Sequence, residues 1–146
     1  LTDIFATCAQ IVGADLPTDG AEDSISFLPA LLGKSQQGGR NTVVNHSNHG
    51  EFAYRDKNWT LVFRMTGQNR QQSRGKPTIA ELYNLQTDIA EARDLAQQHP
   101  EIVARMSAAL TTLIARGTSR PDQDSANDTV VRFDTTQQTR WAPPAR

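Results

Sequence analysis

Apolar residues recur at Ile4, Phe5, Cys8, Ile11 and Val12, the spacing of one face of an α-helix. Thr2 or Asp3 can cap the start, and Gly13 stands where a helix ends on a left-handed residue. A face this apolar needs a partner surface, and no neighbouring segment supplies an obvious one. Residues 15–20 are turn-rich, and 26–32 predict one helical turn with Pro29 early in it and Gly33 closing it. The polar, glycine-bearing run 34–41 reads as a loop. The period then changes to two. Residues 42–46 carry the β-branched pair Val43 and Val44, 50–55 place Phe52 and Tyr54 on one face, and 59–64 do the same with Trp59, Leu61 and Phe63. The links Ser47-Asn48-His49 and Asp56-Lys57-Asn58 are short and made of turn formers, which predicts antiparallel hairpins. Residues 66–77 read as an exposed loop, and 81–85 as a fourth strand with Leu82 on one side and Tyr83 on the other.

Two readings compete for residues 87–98. Asp88 and Glu91 have capping-box spacing, which favours a helix from Ile89, but only Ile89 and Leu95 offer apolar bulk. A turn with at most a short helix near Leu95 is the better expectation. Residues 100–116 form the clearest element: Ile102, Val103, Met106, Leu110, Leu113 and Ile114 share a face, Pro100 suits the first turn, and Gly117 ends it. The tail from Thr118 is polar and broken by Pro121, Pro143 and Pro144, with Val130, Val131 and Phe133 available for an edge strand or docked extension. The expected class is α+β: a small antiparallel sheet of about four strands, packed by a long carboxy-terminal helix and preceded by a separate helix.

Composition narrows the function. The chain has 146 residues with 15 Lys+Arg against 16 Asp+Glu, a net charge of −1, where a dedicated nucleic-acid binder shows a strong basic excess. One cysteine, Cys8, rules out an internal disulfide framework and a multi-cysteine zinc site; its place on the apolar face predicts a packed residue. No apolar run reaches the roughly 18 residues of a membrane span. The chain opens on Leu1 rather than Met, which with the unpartnered first helix predicts a piece of something longer.

Three stretches, in this order, resemble the carboxy-terminal region of type I sulfatases, the arylsulfatase family. They are TDIFATCAQIVGADLP with EDSISFLPALLG at 2–17 and 22–33, VVNHSNHGEFAYRDKNWTLVF at 43–63, and ELYNLQTDIAEARDLAQQHPEIVARM at 81–106. Arg116-Gly117-Thr118-Ser119-Arg120-Pro121 and Asn127-Asp128 imperfectly match a turn common in the family tail. The resemblance implies a large alkaline-phosphatase-like α/β domain that holds the active site, and a smaller carboxy-terminal lobe. Residues 1–39 would then end the large domain and link it onward, 40–117 would be the α+β lobe, and 118–146 an extended tail. The orphan face of the first helix would meet the missing amino-terminal catalytic domain.

The resemblance also implies hydrolysis of sulfate monoesters, on a sulfated small molecule or glycan, with formylglycine and calcium as the parent enzyme's cofactors and a periplasmic or secreted location. Formylglycine is made from Cys or Ser within Cys/Ser-x-Pro-x-Arg, and no Cys or Ser here has that context. No Asp cluster has cation-binding spacing. The chain alone is therefore expected to carry no cofactor and no catalytic residue. In the family the lobe's first hairpin approaches the cleft, which makes His46, Ser47, His49 and Arg55 the substrate-binding candidates, with Asn48 and Glu51 beside them. The competing reading is ordinary turn and strand-end polarity. Thr60 stands where relatives commonly carry a lysine in Trp-Lys-Leu, so that lysine's contact is lost or moved.

Other signals carry less. His46 and His49, three apart across a turn, do not converge as metal ligands do. Arg64, Arg70, Arg74 and Lys76 lack interleaved aromatics and read as solvated loop cations. The sequons at Asn45, Asn58 and Asn127 weigh little in a chain so rich in Ser and Thr. A stand-alone binding or scaffold module descended from such a lobe is the alternative to part of a sulfatase.

Overall fold

Alternating patterning becomes a four-stranded antiparallel sheet in simple chain order: β1 (Thr42–His46), β2 (Phe52–Asp56), β3 (Trp59–Met65) and β4 (Thr78–Asn84). The computed structural model describes residues 1–36, 38–47, 51–66, 78–121, 123–128 and 131. His49 and Gly50, the loop 67–77, Val130 and Phe133 lie outside the described residues. Two units are present, one made of Leu1–Asn41 with Thr111–Asp128, the other built on Thr42–Leu110.

In the sheet unit, register sets the core. Tyr54 pairs with Leu61 and Leu61 with Leu82, so these three share one face with Trp59 and Phe63, as their spacing predicts. Leu61 and Leu82 are fully buried. The helix α3 (Pro100–Arg116) meets that face near its start. Its Arg105 reaches Asp56 at 2.9 Å, and His99, just before it, meets the Trp59 ring edge-on at 5.5 Å. Met106 and Leu110 lie fully buried below, while Ile102 and Val103 are half-buried. The opposite face is also closed at its centre, where Thr60, Val62 and Tyr83 are buried. Burial pushes the Tyr54 and Tyr83 hydroxyls above the ordinary tyrosine range.

The outer edge of β4 is stopped locally. Leu95 donates its amide to the Leu82 carbonyl at 2.8 Å, and the Asp94 carboxylate accepts the Leu82 amide at 3.0 Å. Residues 85–99 form turns rather than a helix. Asp88 spends its carboxylate on the Arg93 amide at 2.8 Å, Glu91 takes a positive φ of 52°, and Ile89 is exposed. The capping-box spacing thus lost to turn chemistry, for want of an apolar face to bury.

In the other unit, α1 (Ile4–Val12) ends on Gly13 at φ 69°, and α2 (Leu28–Leu31) precedes Gly33 at φ 68°. The carboxy-terminal end of α3 is finished by the chain that follows it. Ser125 donates to the Arg116 carbonyl at 2.8 Å and Asn127 to the Ile114 carbonyl at 2.6 Å, which satisfies two carbonyls the helix leaves open. Gly117 makes this return possible with φ 68° and no Cβ; a Cβ would collide with the Ser125 carbonyl oxygen. Residues 118–120 then bind back. Glu22 offers its carbonyl to the Thr118 hydroxyl and the amides of Ser119 and Arg120, and Arg120 donates to Pro17 O at 3.1 Å. Thr118 and Arg120, drawn from the turn that resembles the family tail, are both buried.

Leu110→Ala should cost about 2–5 kcal/mol by leaving a cavity under α3, read from the urea midpoint. Gly13→Ala should cost about 1–2 kcal/mol, the strain of a left-handed alanine with open space around it. Gly117→Ala should cost clearly more in the same assay, because the collision with Ser125 adds to that strain.

Candidate functional site

The β1–β2 hairpin is held at its neck. Ser47 donates its amide to Glu51 O at 2.9 Å and accepts the Glu51 amide on Oγ at 3.1 Å. Glu51 in turn accepts the Met65 amide on Oε1 at 3.2 Å, which ties the hairpin to β3. His46 closes β1, is exposed, and rests its ring edge-on against Phe52 at 4.8 Å. The ring is thereby oriented at the exposed end of the strand. His46 and Ser47 are thus adjacent at the neck. Arg55 is not with them. Pleating places it three residues along β2 on the other face, where its Nε donates to Lys57 O at 3.0 Å. His49 lies outside the described residues.

Arg64 is paired on the sheet surface. Its Nε donates to Glu81 Oε2 at 2.8 Å, and Tyr83 donates its hydroxyl to the same oxygen at 2.8 Å. That hydrogen bond raises the Arg64 pKa further. The pair Arg64 and Glu81 is a strand neighbour set that only register reveals. Thr60 is buried with its hydroxyl unpartnered. Among the described residues no three His, Cys, Asp or Glu side chains converge on a point that could hold a metal ion. Among the described residues no helix is long and apolar enough to cross a membrane.

The second feature is α1. Asp3 is its N-cap residue yet makes no capping bond from its side chain. Its carboxylate instead takes Arg40 in a forked pair, at 3.0 Å to Nε and 2.6 Å to a terminal nitrogen, and accepts the Ile25 amide at 2.9 Å. The capping bond comes from elsewhere in the chain: Ser24 Oγ accepts the Ala6 amide at 2.8 Å and donates to Thr2 O at 2.8 Å. Thr7 accepts the Phe27 amide at 3.2 Å. These bonds turn the Ala6 and Thr7 side of the helix inward. The apolar stripe consequently faces out, with Ile4 46%, Phe5 56%, Ile11 60% and Val12 75% exposed. Cys8 is exposed with them, which corrects the expectation of a packed cysteine: the polar side of the helix, not the apolar one, found partners within the chain. Leu31 and Leu32 near α2 are exposed as well. On the inner side, α1 and residues 24–26 border an open cleft of about 450 Å³, with Arg120 and Pro121 at its wall.

This sheet, α3 and the preceding α1 correspond in sequence and fold to the carboxy-terminal region of sulfatases. An N-acetylgalactosamine-6-O-sulfatase of Bacteroides thetaiotaomicron is 30% identical over 118 residues, covering 78% of this chain and 23% of that protein. Arylsulfatase G of Rattus norvegicus is 28% identical, over 98% of this chain and 28% of its own length. A solved Bacteroides thetaiotaomicron structure from a locus for metabolism of multiple glycosaminoglycans superposes with TM-score 0.66 at 30% identity, covering 78% of this chain and 24% of that one. A 2-O glycosaminoglycan sulfatase shares the fold alone, at TM-score 0.58 and 24% identity, with the same coverage of 78% and 24%. No family model matches the chain. The chain thus spans about a quarter of the length of the curated relatives it matches.

Arg40 beside Asp3 holds that carboxyl below the ordinary aspartate range, chiefly through the hydrogen-bonded pair. A folded value below the unfolded one means that the pair stabilises fully above about pH 4 and fades as pH falls through the folded value. Asp3→Asn should cost about 1–3 kcal/mol at pH 7. The deficit should shrink in acid, as measured by urea denaturation from pH 7 down to pH 3.

Proposed function

We propose that the chain serves as the carboxy-terminal lobe of a type I sulfatase, completing the substrate cleft and stabilising the catalytic part. The observation that carries this reading is the exposed stripe Ile4, Phe5, Ile11 and Val12 on a helix whose other side is fully engaged. An apolar face of this kind is covered in a working protein. The catalytic part of a sulfatase is its occupant, since the match takes in 78% of this chain and only 23% of the relative. On this reading residues 1–39 complete the large domain and link it to the lobe at 40–117, and 118–146 extend from the lobe. The formylglycine and calcium of the parent belong to the catalytic part, where they supply the nucleophile and neutralise the ester's oxyanions. This chain contributes surface and position rather than those groups.

The similarity to an N-acetylgalactosamine-6-O-sulfatase, and to a protein from a glycosaminoglycan locus, supports sulfated carbohydrate as the substrate class. His46 is the residue proposed to meet it, an imidazole fixed by Phe52 at the hairpin neck with donors free for a hydroxyl or sulfate oxygen. Ser47 shapes the neck beneath it. Arg55, on the opposite face, would meet a different part of any ligand.

The isolated chain should bind a hydrophobic dye, and Phe5→Ser with Ile11→Gln should abolish most of the signal at unchanged helicity. Absence of dye binding in the parent chain would overturn the docking surface. For the substrate contact, this chain can replace the matched region of the Bacteroides N-acetylgalactosamine-6-O-sulfatase. His46→Ala in that hybrid should lower kcat/KM on a sulfated saccharide by roughly tenfold, about 1.4 kcal/mol. Unchanged kinetics at unchanged Tm would leave His46 a strand-end polar residue only.

A further inference from the structure

We draw no further inference here: the strongest candidate, the apolar stripe of Ile4, Phe5, Ile11 and Val12 along α1, belongs to the docking surface already proposed, and nothing in the structure shows a second occupant for it.

Discussion

Asp3, Ser24 and Thr7 together decide which way α1 faces. The helix has an apolar side, with Ile4, Phe5, Ile11 and Val12, and a second side of small and hydroxyl-bearing residues. Burying the larger side chains would release more apolar area, so hydrophobicity alone favours turning them inward. The hydrogen bonds run the other way. Ser24 caps the Ala6 amide, Thr7 receives Phe27, and the forked Asp3–Arg40 pair fixes residues 23–27 against the start of the helix. Once those donors and acceptors are matched, the apolar stripe has only the outside left.

The sheet obeys a different constraint. Strands β3 and β4 are buried on both faces, with Leu61 and Leu82 enclosed on one side and Thr60, Val62 and Tyr83 on the reverse. Few polar groups can be tolerated there without partners. Tyr83 shares Glu81 with Arg64, and the outer backbone of β4 is bonded by Asp94 and Leu95. Thr60 is the exception, a buried hydroxyl with no hydrogen-bond partner. The short connections from β1 to β2 and from β2 to β3 keep those two pairings local, which suits rapid assembly of the hairpins.

Much of the candidate site was visible in the residue pattern. Ser47 and Glu51 lie across a turn-rich link, and the structure bonds them to each other. His46 stands at the last position of a strand whose limits the pattern marked as 42–46. Arg55 could not be placed so well. It is close to His46 across a hairpin when counted along the sequence, yet the pleat sends the two to opposite faces. The Arg64–Glu81 pair was out of reach for another reason, because it joins residues seventeen apart whose meeting depends on the β3–β4 register. The same holds for Ser24 and Arg40, polar residues in loops that carry no signal of the helix end they serve.

The sequence by itself determined the elements: periodicity placed α3 at 100–116, β1 at 42–46 and the glycine stops at 13, 33 and 117. It also determined that neither the formylglycine motif nor a multi-cysteine metal site is present, since both depend on local residue order. These are short-range matters of side-chain spacing and backbone freedom. The tertiary structure alone decided which side of α1 is inward, and that Ser125 and Asn127 return to close the end of α3. Both outcomes rest on hydrogen bonds between different segments of the chain, which local residue order does not reveal.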